Sequence, residues 1–267
     1  MRKRVGSFRS VFVFVLIFVL AAFPASVDAS HSWGNYHWAR SSNPITISVI
    51  DSMTTSWDDN LSTAMNDWSS SSVLNLTRES GSTTTSTRRN CRPAAGKVRA
   101  CNYTYGNTGW LGVAQIWANG NHITQGTAKM NDSYMASSSY SETNRQHVIC
   151  QEIGHVWGLD HQDESGADLN TCMDYSDALD NPHPNAHDYA QLETIYSHLD
   201  GGAAAPDPEI LNSEGLSKAP AGFAKADLQT VESWGSKVSE SADGRSALFV
   251  RDFGKGFQIF TFVFWAP

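Results

Sequence analysis

Residues 45–50, Ile-Thr-Ile-Ser-Val-Ile, alternate apolar and polar positions and are rich in β-branched side chains, a period of two that predicts a half-buried strand. The period then lengthens. Trp57, Leu61, Met65 and Trp68 recur at helical spacing, so 54–69 reads as an amphipathic helix with its tryptophans in a core. Residues 73–77 read as a second strand, and 79–96, rich in Ser, Thr, Gly, Arg and Pro, as a loop. Lys97–Tyr105, Leu111–Trp117 and His122–Met130 read as three more strands, the last two joined by a reversal at Asn119-Gly120-Asn121. Ser141–Trp157 is again helical in pattern, with Ser141 as its cap, Glu142 in the first turn and Gly158 just past the end. A loop-rich stretch leads to a third helix, Asp188–His198, with Tyr189, Leu192 and Tyr196 on one side. Gly201–Pro208 has linker composition, and the short segments Ala247–Val250 and Gln258–Phe264 beyond it suggest further strands. This order of elements predicts an α+β fold.

The length of 267 residues allows one large domain with a small appendage. Hydrophobic residues at 40% suffice for a core, while only 17% are charged and Ser, Thr, Asn and Gly abound, which suits an extracellular surface. With a formal charge of -8 and no basic cluster after the first ten residues, no nucleic-acid partner is expected. Arg2, Lys3, Arg4 and Arg9 precede an apolar run from Val11 to Phe23, too short to span a bilayer, and Val27-Asp28-Ala29 offers a cleavage point. Residues 1–29 therefore read as a signal peptide, and the chain is expected to be secreted, with no stable membrane anchor. Cys91, Cys101, Cys150 and Cys172 are even in number, as two disulfides require. Of the three connectivities, Cys91–Cys101 would close a local loop and Cys150–Cys172 would tie a helix to a later turn. No CxxC pair points to a cysteine metal site.

The chemistry concentrates in Gln151-Glu152-Ile153-Gly154-His155-Val156-Trp157-Gly158-Leu159-Asp160-His161. Positions 151 and 155 lie one helical turn apart, so both side chains can face one ion. Glu152 is rotated off that face, where a carboxylate can act as general base on a metal-activated water. Gly158 lets the chain turn sharply, and His161 can swing back as a third ligand.

These residues resemble the metzincin metallopeptidases, whose signature is HExxHxxGxxH followed by a Met-turn. Glu152, His155, Gly158 and His161 match it, and Cys172-Met173-Asp174-Tyr175 looks like the Met-turn. The resemblance covers about 32–200 and is nearest to the matrixin-like and small secreted bacterial branches. It implies a twisted mixed sheet with an active-site helix and Met-turn over residues 30–200, a linker at 201–212, and a small β-rich appendage over 213–267. It also implies a zinc-dependent endopeptidase acting on proteins or peptides, with Glu152 as base and Tyr175 beside the metal as oxyanion stabiliser. Met173 would form the floor of the site. The strand before the active-site helix would bind substrate backbone as an added strand.

Gln151 departs from the signature, and three readings stay open. Gln151 ligates weakly beside His155 and His161; His147, one turn earlier, replaces it; or the protein is an exported binding protein on a degenerate scaffold. His122, at the start of its strand, could approach the cleft but reads first as a half-exposed strand residue, and a second metal site at His183 and His187 has no motif behind it. Asp160, Asp163, Glu164 and Asp168 crowd around His161 without EF-hand spacing, so calcium lacks a motif and zinc is the expected cofactor. A monomer is expected.

Overall fold

The computed structural model describes residues 31–162, 166–174, 179–200 and 219–267. The signal-like segment, the linker at 201–212, Asp163, Glu164 and Tyr175 lie outside the described residues. The fold is α+β, built on one nine-stranded mixed sheet.

The elements in chain order are β1 (His37–Trp38), β2 (Ile45–Ser52), α1 (Asp58–Ser69), β3 (Leu74–Ser80), α2 (Thr85–Asn90), β4 (Lys97–Tyr103), β5 (Trp110–Asn119), β6 (His122–Asn131), α3 (Asp132–Met135), α4 (Glu142–His155), α5 (Ala186–Ile195), β7 (Ser236–Glu240), β8 (Ser246–Gly254) and β9 (Phe257–Trp265). The sheet runs β3-β2-β4-β6-β5-β9-β8-β7, with β1 alongside the start of β6. β3, β2, β4 and β6 are mutually parallel. β5 then reverses against β6 through the Gly120–Asn121 turn, where Gly120 takes a φ of 57°.

Two expectations change. The loop read over 79–96 contains α2, six residues long and too short to show periodicity, with the Thr84 hydroxyl accepting from the Thr87 amide. The C-terminal β region is not a separate appendage. β9 pairs antiparallel with β5 from Trp110↔Trp265 to Asn119↔Phe257, and β8 and β7 continue the sheet. The reason lies in the period of β9. Phe260, Phe262 and Phe264 join the main core under α1 and α4, while Phe257, Ile259 and Val263 join a second core with Trp110, Val113, Trp117 and Trp234 on the other face. A strand apolar on both faces needs cover on both, which an interior sheet position supplies.

α4 packs on the main core beside α1. Ser141 caps it in a capping box with Asn144. Its last carbonyls are satisfied by distant side chains: Trp33 Nε1 donates to His155 O at 3.3 Å, Trp38 Nε1 to Val156 O at 2.8 Å, and Tyr196 Oη to Trp157 O at 2.9 Å. Both expected disulfides are present, Cys91–Cys101 and Cys150–Cys172. No described helix is long and apolar enough to cross a membrane.

Candidate functional site

α4 carries Gln151, Glu152 and His155 in consecutive turns, and the chain returns His161 to the same place. The His155 and His161 rings lie 4.7 Å apart between centroids. Gly158 makes this return possible. Its φ is +103°, and a Cβ there would collide with the Tyr36 carbonyl oxygen, so a side chain is excluded both by conformation and by space. The Asp160 carboxylate accepts from the His161 amide at 2.9 Å and lies 3.5 Å from its Nδ1.

His155 Nδ1 donates to the Leu159 carbonyl at 2.9 Å, which leaves its lone pair on Nε2. Metal-ligating histidines are commonly oriented in this way. Burial holds the His155 ring down to about 3 and His147 down to about 4, so both are neutral imidazoles at ordinary pH. Beneath them the segment Thr171–Asp174 is tied to α4 by Cys150–Cys172. Thr171 Oγ1 accepts from the Met173 amide at 3.1 Å, and the Met173 carbonyl accepts from Gln162 N at 2.6 Å. The Met173 thioether packs on Gly154, directly under the helix.

The residues fit a bound cation. Gln151 is fully buried, and neither its Oε1 nor its Nε2 has a hydrogen-bond partner; Glu152 Oε2 is in the same position. Leaving such groups unpaired costs about 1–3 kcal/mol each, so their clustering marks a place for an ion or water. Neutral imidazoles with oxygen donors are a donor set zinc accepts. Burial pushes the Glu152 carboxyl well above the usual carboxylate range, against the opposing pull of the Ala114 amide. β5 runs close over this carboxylate: a Cβ on Gly112 would stand 2.5 Å from Glu152 Oε1.

The site is closed. Relative exposure is 0% at Gln151, 1% at Glu152 and His155, and 7% at His161. Among the described residues, β9 lies over His155 and His147. Phe262 stacks on the His155 ring at 4.1 Å with 10° between planes, and Phe264 lies 5.9 Å from His147. Trp33 and Tyr36 in turn pack on Phe260, each at 4.5 Å. β6, the strand expected to receive a substrate, lies between β4 and β5, and the outer side of β5 is filled by β9. Neither strand has an unpaired edge facing the site.

Two other groups of His and Asp residues could hold a metal ion. In the first, His31 Nε2 lies 3.6 Å from Asp188 Oδ1, and the His31 ring stacks on His187 at 4.8 Å. The second, among the described residues, is His37, His122 and Asp200, with His198 also beside the Asp200 carboxylate. The Nε2 atoms of His37, His122 and His198 stand 3.2, 3.2 and 3.4 Å from Asp200 Oδ1. Burial pushes the Asp200 carboxyl up, but the Arg40 amide and hydrogen bonds from His37 and His122 outweigh it and bring it down to about 2. His122 thus belongs to this group. His183 bonds to Asp67 at 2.7 Å. Only the local His198-Leu199-Asp200 pattern hints at the second group in the sequence, since its other members come from β1 and β6. Comparison with protein-family models, with curated proteins and with solved structures finds no match for this chain.

Proposed function

We propose that this chain is an exported zinc-dependent endopeptidase of the metzincin type, shut by its own C-terminal strand. The observation that carries the reading is the meeting of Gln151, Glu152, His155 and His161 above Met173, with the Gln151 amide and Glu152 Oε2 buried and unpartnered. His155, His161 and the Gln151 side-chain oxygen would hold the ion. Zinc supplies Lewis acidity there, polarising a scissile carbonyl and acidifying a water. Glu152, set off the ligand face, accepts the water's proton and returns it to the leaving amine. Its high proton affinity suits it to hold that proton between the two transfers.

β9 lies along β5 as an added strand would, with Phe262 over His155. In this reading the intact chain is latent, and displacing β9 exposes both the ion and an edge for substrate. A second reading, an exported binding protein without catalysis, is favoured by Gln151 in a ligand position and by the sealed site.

Zinc content and casein cleavage, each with and without chelator, separate the two. Three folded proteins are compared: the full chain, the Phe262→Ala/Phe264→Ala chain, and the latter carrying Glu152→Ala. Circular dichroism checks folding. The peptidase reading expects chelator-sensitive cleavage in the second protein and its loss in the third with zinc retained. Zinc that is lost on His155→Ala/His161→Ala, without cleavage in any of the three, means the binding protein; no zinc lost in that variant removes the peptidase.

A further inference from the structure

We propose that His37, His122, His198 and Asp200 form a zinc site of their own, built from none of the residues at α4. It would fasten β1 and the start of β6 to the segment that follows α5. The inference stands whether or not the chain is a peptidase.

The ligand atoms of His37, His122 and Asp200 all lie within 4.8 Å of one another, and His198 Nε2 adds a donor beside Asp200 and His37. A tetrahedral zinc with ligands at about 2.0–2.1 Å has donor-to-donor edges of about 3.3 Å. Four of the six edges are of that length: 3.2 Å from Asp200 Oδ1 to His37 Nε2, 3.2 Å to His122 Nε2 and 3.4 Å to His198 Nε2, with 3.2 Å between the Nε2 atoms of His37 and His198. The outward sides of the ligands are already held. His37 Nδ1 donates to the Asn35 carbonyl at 2.8 Å, and Asp200 Oδ2 accepts from the Arg40 amide at 3.0 Å with the Arg40 guanidinium 3.5 Å away. This is the outer-shell arrangement that orients metal ligands.

With His37 neutral, protons alone leave its Nε2 lone pair facing the Asp200 carboxylate. His37 Nε2, His198 Nε2 and Asp200 Oδ1 form a triangle whose three edges are all of hydrogen-bond length. If both rings donate to the carboxylate, their two N–H groups face each other. If one ring keeps its lone pair, that lone pair opposes the carboxylate oxygen. Because His37 Nδ1 donates to Asn35, the ring offers the cluster a lone pair when neutral and a donor to Asp200 only when doubly protonated. A cation at the centre engages every one of these lone pairs at once. His37 and Asp200 are buried, while the His122 and His198 side chains are 40% and 54% exposed, so an ion has a path in from solvent. Imidazole nitrogens with one carboxylate match zinc in donor type, and a site closed by protein ligands is structural.

The test is zinc titration of the full chain after chelator treatment, followed by calorimetry and by counting bound metal, alongside His122→Ala/His198→Ala and the milder His198→Ala. The exposed positions of both histidines leave the fold in place, which circular dichroism verifies. The expected result is one zinc fewer per chain in the double variant and at least about 100-fold weaker binding at that site in the single one. Zinc raises the melting temperature of the parent by more than it raises that of the double variant. Cobalt(II) added to the parent gives tetrahedral d–d absorption that the double variant loses in part. Equal zinc stoichiometry in parent and double variant overturns the proposal and leaves a proton-sharing cluster. Sites at α4 or at His31 do not affect the outcome, because the readout is the difference between the proteins.

Discussion

At the scale of single residues, the proposed α4 site turns on Gln151, which would set how strongly it holds an ion. An amide oxygen is a weaker donor to zinc than imidazole. Gln151→His is expected to tighten zinc binding by at least tenfold in a competition titration with a chromogenic chelator. Unchanged affinity would mean that position 151 does not face the ion. Lys129 on β6 offers an independent test of burial. It is almost wholly enclosed, and desolvation brings its ammonium down to about 8 from 10.5, with Asp227 opposing. The unfolded chain therefore binds the extra proton between those two values, so this group's penalty is complete below about pH 8 and is relieved as pH rises toward 10.5. Lys129→Met is expected to raise stability near pH 7 by about 3 kcal/mol. That advantage shrinks to near zero by about pH 10.5, as read from urea melts at several pH values.

At the scale of elements, the active helix and the turn beneath it act as one piece because a covalent link joins them. Cys150 precedes Gln151 and Cys172 precedes Met173, so the disulfide fixes the Met173 segment against α4 across a separation of 22 residues. Closing a loop of that length contributes about 3 kcal/mol in the chain-entropy account. Cys150→Ala/Cys172→Ala is expected to lower unfolding free energy by about that amount and to weaken zinc binding as well. The corresponding change at Cys91–Cys101, which closes 10 residues away from the site, is expected to leave zinc binding unaltered. Most elements were legible at this scale. β2 through β6, α1, α4 and α5 were readable because each has a period or a cap of its own. α2 was not, since six residues give less than two helical turns and no pattern. The bounds of α5 shifted because Asn185, not a residue nearer Asp188, supplies the cap.

At the scale of the whole molecule, the chain covers its own site. Phe260, Phe262 and Phe264 bring three aromatic side chains of β9 to the core face, over the α4 side of the sheet. Loosening that strand with Phe262→Ala/Phe264→Ala is expected to cost several kcal/mol, as large-to-small core changes do. It is also expected to increase hydrogen exchange at β5 amides and at Gln151–His155 in the same variant. Exchange that rises only within β7–β9 would mean that the strand does not shield the site.

The sequence by itself determined what depends on near neighbours along the chain. Glu152, His155, Gly158 and His161 fall within ten positions, so helical geometry and one glycine turn bring them together whatever surrounds them. The cysteine pairing followed from which elements each residue lies on. The tertiary structure decided everything that rests on distant segments meeting. It placed β9 beside β5 and so closed the cleft, and it made Gln151 a buried amide without a partner. It also drew His37, His122 and His198 onto Asp200. The physical reason is that strand partners and cross-chain contacts are selected by burial of apolar faces throughout the molecule. Spacing along the chain encodes local geometry but carries no record of which distant faces will be covered together.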